Sequence, residues 1–222
     1  YKPILPLTWH VGDANRYAAL TVKGNNTLSL KEFGMSYDVE WESRSNGSYI
    51  THNTLINNAS MRADSICVWM EIKNDEWSFI SFPFDVKVSD IKPAYKNTNY
   101  VIRKYSGKER AEGNFDETWQ GMTADSILHA GEGYIWQSSR YDDSGTKLST
   151  SAFYVSAQNN VNKNLIFASD DRTITLDEYQ SEFSHNRSWN FIGNPYPSYY
   201  DTRFMDFTAP ITVWNMYNDS YY

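Results

Sequence analysis

"EWSFISFPFDVKVSD", residues 76–90, and "SWNFIGNPYPSYYD", residues 188–201, are two versions of one phrase. Each opens a short apolar run of the form W-x-F-I, and each run stops at a proline. Trp77 corresponds to Trp189, Phe79 to Phe191, Ile80 to Ile192, Pro83 to Pro195 and Phe84 to Tyr196, all 112 positions apart (77 to 189). The same offset carries Val101 to Val213, Ile102 to Trp214 and Tyr105 to Tyr217 without a gap. One offset held over two separated runs marks a duplicated strand–loop–strand unit, residues 77–105 and 189–217. Strand alternation puts Trp and Phe of each W-x-F-I on one face and the intervening residues on the other. A proline cannot donate to a ladder, so Pro83 and Pro195 end the pairing or sit at an edge. Pro195 and Pro197 bracket Tyr196 and aim its ring, either inward as a plug or outward as a platform.

Around this unit the chain keeps to short β-branched and aromatic runs bounded by Gly, Asn, Asp or Pro, the pattern of strands and turns. Strands are expected at 19–22, 27–30, 36–42, 65–72, 78–82, 100–105, 133–137, 152–156, 164–168, 173–176, 189–193 and 211–216. Gly131 and Gly133 form a turn into the aromatic strand "YIWQS". No dozen-residue window keeps a helical apolar stripe; "DEYQSEFS" (177–184) and "DTRFMDF" (201–207) are at most single turns. The density of strands and the absence of a βαβ rhythm predict an all-β fold of β-sandwich or jelly-roll type. Residues 61–222 form that sandwich with its internal repeat. Residues 1–60 are a β-rich segment, poor in large apolar runs, that either packs on the sandwich or forms a short β-solenoid-like lead-in.

Composition narrows the partners. The 222 residues carry a net charge of −7 and 16% aromatic residues, including eight Trp and seventeen Tyr. No Lys/Arg cluster exists to hold nucleic acid, and no run approaches the roughly 18 apolar residues of a membrane span. Cys67 is the one cysteine, which excludes an internal disulfide, and it reads as a small buried hydrophobe. The chain opens on Tyr1 and not Met, as a processed chain or an excised piece would.

The segments "WSFISFPFDVKVSDI", "AGEGYIWQS" and "WNFIGNPYPS" resemble β-sandwich modules of large secreted and cell-surface proteins of the Bacteroidota, over roughly residues 54–222. The resemblance implies an extracellular, adhesin-like module of a larger multidomain protein. It brings no catalytic residues. It also implies two O-glycosylation acceptors, Ser65 and Ser126, each in an Asp-Ser-Ile triplet.

Motif by motif, catalysis has little support. There is no G-x-S-x-G, H-E-x-x-H, P-loop or C-x-x-C pair, and His10, His52, His129 and His185 are far apart in sequence. "YDVEWE" places Asp38, Glu40 and Glu42 on one strand face, with acids at i and i+2 about 7 Å apart. That lies within the roughly 5–10 Å used by glycosidase carboxylate pairs, so a glycoside hydrolase is one alternative; a solvated acidic face is the other. The acidic turns "YDDSGT" (141–146) and "ASDDRT" (168–173) offer oxygens for a structural Ca²⁺ without the full spacing of a known loop, and plain turns account for them. No cofactor or other metal is implied.

Binding is the reading that remains. Trp69, Trp77, Trp136, Trp189 and Trp214 lie within strand runs and are expected in the core. Trp9, Trp41, Trp119, Tyr199 and Tyr200 lie in loops or on polar strands and are the candidate platforms for a pyranose ring. Asp116 and Gln120 flank Trp119 as partners for sugar hydroxyls; alternatively, that loop folds over and Trp119 covers a sandwich end. The expectation is a non-catalytic module for a glycan or other host or cell-surface ligand, against the alternative of a structural spacer.

Overall fold

Alternating β-branched and aromatic residues favour a pleated, half-buried backbone, and strands dominate the computed structural model of the protein. It describes residues 8–11, 18–23, 28–38, 53–58, 61–156, 165–167, 173–195, 205–206, 210–212, 214–215 and 220–221. In chain order the strands are β1 (Thr8–Val11), β2 (Ala18–Lys23), β3 (Leu28–Asp38), β4 (Asn53–Asn58), β5 (Met61–Lys73), β6 (Ser78–Ile80), β7 (Val86–Lys87), β8 (Lys92–Pro93) and β9 (Thr98–Tyr105). There follow β10 (Trp119–Gly121), β11 (Ile127–Leu128), β12 (Tyr134–Arg140), β13 (Thr150–Ser156), β14 (Leu165–Phe167), β15 (Trp214–Asn215) and β16 (Ser220–Tyr221). Among the described residues the single α-helix is α1 (Gly107–Glu112). The protein is all-β.

The larger sheet runs β1-β3-β5-β13-β8, with β14 also on β5. Its first three strands are parallel: β1 on β3, and β3 on β5 with Leu28 opposite Met61 and Asp38 opposite Glu71. β2 and β4 form a second parallel ladder. Within the larger sheet, β3 joins β1 to β5 and so to the antiparallel strands. From β5 onward the pairing is antiparallel, with β13 opposite residues 67–73 and β14 opposite residues 61–63. β8 ends this sheet at Pro93, an edge position where the missing N–H costs no ladder bond. The smaller sheet, β10-β9-β12-β6, is antiparallel throughout.

The two sheets meet through rings. Trp136 of β12 lies 4.8 Å from Phe153 of β13 and 5.0 Å from Tyr100 of β9, centroid to centroid. Around them Met70, Ile72, Ile102, Tyr134 and Val155 are buried. Each large side chain so buried contributes about 1.5–3 kcal/mol. The chain passes from one sheet to the other just after β5, at Asn74. Its Oδ1 accepts from Ser138 Oγ (3.0 Å) and Ser151 Oγ (2.6 Å), and its Nδ2 donates to the Leu148 carbonyl (2.7 Å). One buried amide therefore ties β12 to β13 and satisfies two serines that have no access to water.

Several expectations are changed by tertiary contacts. The runs at 27–30 and 36–42 belong to one strand, β3, as far as Asp38, because the parallel ladder to β5 continues through "KEFGM". Residues 173–176 form no strand, and 177–183 form no helix; a single 3₁₀ turn covers Ser184–Asn186. That segment is held by side chains: Asn190 Oδ1 accepts from the Asp177 N–H (3.0 Å), Asn190 Nδ2 donates to the Asp177 carbonyl (3.0 Å), and Ser188 Oγ accepts from the Tyr179 N–H (3.1 Å). The helix α1, in "SGKERAEG", carries local signals of its own. Ser106 Oγ caps Glu109 N–H at 3.3 Å, and Gly113 closes the C-terminus at φ +84.

The two copies of the repeated phrase sit side by side but differ in conformation. The first supplies β6, paired with β12 with Ile80 opposite Tyr134. The second is an irregular segment held by an isolated bridge between Ile192 and Glu132, with Gly133 N–H on the Phe191 carbonyl and Gly193 N–H on the Gly131 carbonyl, both 2.9 Å. So close an approach needs glycine. A Cβ on Gly133 would sit 2.6 Å from the Phe191 ring, and one on Gly193 only 2.0 Å from Ser81 Cβ. Of the remainder of the second copy, 189–217, the strand residues Trp214 and Asn215 pair with β16; residues 196–204 lie outside the described residues.

Candidate functional site

The smaller sheet has two unlike faces. β12 sends Tyr134, Trp136 and Ser138 into the core and Ile135 and Gln137 to the other side. On that outer side Ile135 is opposite both Phe79 and Arg103, Gln137 is opposite Val101, and Trp119 is opposite Tyr105. Trp77, one residue before β6, belongs to the same face, with the Arg103 guanidinium 5.2 Å over its ring. Rings continue along it edge to face: Tyr105 to Trp119 at 5.2 Å, Trp119 to Phe191 at 5.6 Å, and Phe191 to Phe79 at 5.2 Å. Trp77 is 42% exposed and Phe79 43%.

Beside this row lies a shallow depression of about 260 Å³ whose lining includes Asp75, Asn99, Val101, Gln137 and Ser139. Asp75 holds the left-handed backbone region at φ 65. Gln137 Nε2 donates to its carbonyl (3.0 Å), and Lys147 Nζ lies 2.7 Å from its Oδ2. The result is an open site: flat apolar rings on one side, and carboxylate, amide and hydroxyl groups on the other.

The residues singled out from sequence are dispersed. Trp119 is on β10 and half-buried between Tyr105 and Phe191. Asp116 is exposed in the short 3₁₀ turn Phe115–Glu117. Gln120 pairs with Lys104, which puts it on the face opposite Trp119; alternation separates the two. Trp9 is on β1, opposite Phe33. Trp41, Tyr199 and Tyr200 lie outside the described residues. Of the acidic trio, Asp38 ends β3 opposite Glu71, while Glu40 and Glu42 lie outside the described residues. Ser65 is on β5, opposite Glu32. Ser126 closes a turn, its Oγ accepting from the Thr123 N–H at 3.0 Å, and neighbouring Asp125 pairs with Lys87 at 2.9 Å.

Of the tryptophans expected in the core, Trp136 is fully buried, but Trp77 and Trp189 are 42% and 41% exposed. The side chains of Trp69 and Trp214 lie outside the described residues. A strand run does not say which face is covered. The available signal was alternation itself, since Trp77 and Phe79 share a face opposite to Ser78, which pairs with core Trp136.

A polar network closes the end of the sheet next to the Gly131–Gly133 turn. The fully buried Tyr134 hydroxyl donates to Glu132 Oε2 (2.5 Å) and accepts from the His129 N–H (2.7 Å). Lys104 Nζ lies 3.0 Å from Glu132 Oε1. Asp85 accepts from the Ala130 N–H at 2.9 Å and faces His129 Nδ1 at 3.4 Å. Burial pushes the Glu132 carboxyl up, but the bonds from Tyr134 and Lys104 outweigh it and hold the group below the ordinary glutamate value. Burial, reinforced by Glu132, drives the Tyr134 phenol far above its ordinary value. This network braces the turn whose Glu132 bridges to Ile192.

In the turn "YDDSGT", Asp142 Oδ1 accepts from Ser144 N–H, Ser144 Oγ and Thr146 N–H, so that oxygen is spent on the turn. The turn at 168–172 lies outside the described residues. Among the described residues no three His, Cys, Asp or Glu side chains converge as metal ligands would, and no helix is long and apolar enough to cross a membrane. No family model, curated protein or solved structure matches the chain.

Proposed function

We propose that the chain is a non-catalytic binding or adhesion module of a larger secreted or cell-surface protein, and that it holds carbohydrate on the outer face of the β10-β9-β12-β6 sheet. The supporting observation is the adjacency of exposed Trp77 and Phe79 to a depression lined by Asp75, Asn99, Gln137 and Ser139. A pyranose has an apolar C–H face and a rim of hydroxyls. Flat rings cover the first at little cost in side-chain entropy, and amide, carboxylate and hydroxyl groups answer the second. The depression is smaller than the roughly 300–1,000 Å³ of enclosed small-molecule pockets and open, which suits one unit of a longer chain.

A glycan array probed with the native chain, and again with Trp77→Ala, tests this. Binding to at least one glycan, lost in Trp77→Ala, is expected. If the native chain binds no glycan, the proposal falls and the spacer reading takes its place. The spacer is favoured by one feature, the edge-on packing of Trp119 between Tyr105 and Phe191, which turns aromatic area to the use of the fold itself.

A further inference from the structure

The described cations find different partners: Arg140 lies over the Tyr95 ring at 4.2 Å, and Lys92 and Arg187 donate to backbone carbonyls. Lys73, Lys87, Lys104, Lys108 and Lys147 each have a carboxylate within 4 Å. Arg103 and Arg110 have no such partner among the described residues; each lies over a tryptophan ring, Arg103 on Trp77 at 5.2 Å and Arg110 on Trp189 at 5.1 Å. These two tryptophans are equivalent positions of the repeated phrase, and the Phe79–Phe191 contact joins the two copies. Only the first pair is open to a ligand: Arg103 is exposed, whereas Arg110 is half-buried with its Nε closed off from solvent.

A guanidinium stacked on an indole keeps its planar fork of N–H donors free at the edge, where a carboxylate can accept two bonds. An ammonium at the same point would supply charge without that geometry. The overall charge of −7 works against long-range attraction of an acidic chain. At physiological salt, however, charges beyond about 8 Å are largely screened, so the local arginine decides.

We infer, building on the glycan-binding reading, that this face selects acidic carbohydrate of the uronate or sialate class, with the sugar ring on Trp77 and its carboxylate on Arg103. The depression also holds the Asp75 carboxylate, which Lys147 balances at 2.7 Å; its amide and hydroxyl groups match sugar hydroxyls, which favours a saccharide over an acidic peptide.

The test uses a panel of uronate- and sialate-containing glycans, each with a neutral twin made by carboxyl reduction or desialylation, titrated by tryptophan fluorescence. We expect an acidic member to bind about tenfold or more tighter than its twin, the scale of a charge-assisted bond pair. Arg103→Gln should erase that preference, Arg103→Lys should restore part of it, and all three proteins should melt alike. Trp77→Ala should lose both twins. Equal binding of the twins with a silent Arg103→Gln would overturn the inference and leave the glycan reading standing. Failure of every member to bind would take down both. Displacement of a bound acidic glycan by oligoglutamate at equal charge concentration would also overturn the assignment to sugar.

Discussion

Replacing Asn74 by alanine should cost this protein more than almost any other polar substitution. Asn74 is 8% exposed, and its amide serves three groups at once: the hydroxyls of Ser138 and Ser151, which are 2% and 0% exposed, and the carbonyl of Leu148. Truncation leaves all three without their partner at the junction of the sheets. Each buried polar group left unpaired costs about 1–3 kcal/mol, so Asn74→Ala should lose about 3–5 kcal/mol in total. In a chain of this size each kcal/mol moves the melting point by about 2–4 °C, which predicts a fall of about 10 °C. Urea unfolding followed by tryptophan emission measures the loss, because Trp136 is buried beside this junction. A double-mutant cycle with Ser151→Ala sharpens the reasoning. In the Asn74→Ala background the serine change should recover about 1 kcal/mol by removing a stranded hydroxyl, whereas alone it should destabilise. A total loss under about 1 kcal/mol, or an additive cycle, would refute the account of Asn74 as the tie between sheets.

Two further predictions concern the segment that carries the second phrase. Gly133→Ala and Gly193→Ala each force a Cβ into an occupied position, against the Phe191 ring and Ser81 Cβ; each should cost about 1–3 kcal/mol, read as a lowered melting point, and unchanged melting would show that the segment is not docked there. Glu132 has a folded-state value below its ordinary 4.5, so the stability it contributes is present above that value and lost as pH falls through the folded one. Solvent screening of this partly exposed pair keeps the effect below about 1 kcal/mol. Glu132→Gln should therefore narrow the difference in urea midpoint between about pH 7 and pH 3, and an identical acid limb in both proteins would count against the bonds drawn from Tyr134 and Lys104.

Much of the fold was legible because it rests on local rules. Period-two runs around Tyr100, Tyr134 and Phe153 became β9, β12 and β13, and Pro83 lies just beyond the end of β6. Segment 173–193 was not legible, since its bonds are made by Ser188 and Asn190 side chains to a stretch some ten residues earlier. Local propensity contains nothing of that. The candidate site was only half legible. Aromatic richness and Trp119 pointed to rings, but Gln120 fell on the opposite face, and Trp77, expected in the core, became the exposed ring beside Arg103.

From sequence alone the all-β class and several strand positions, such as those of β9, β12 and β13, were determined, because turn residues and side-chain alternation act over neighbouring positions. Tertiary structure decided which face of the smaller sheet is covered. It also decided that only one copy of the phrase becomes a strand, and that each repeated tryptophan lies under an arginine. These are relations between residues far apart in the chain, and they exist only once the core has taken one face of β12 and Phe191 has packed over part of the other, where Ile135 is buried.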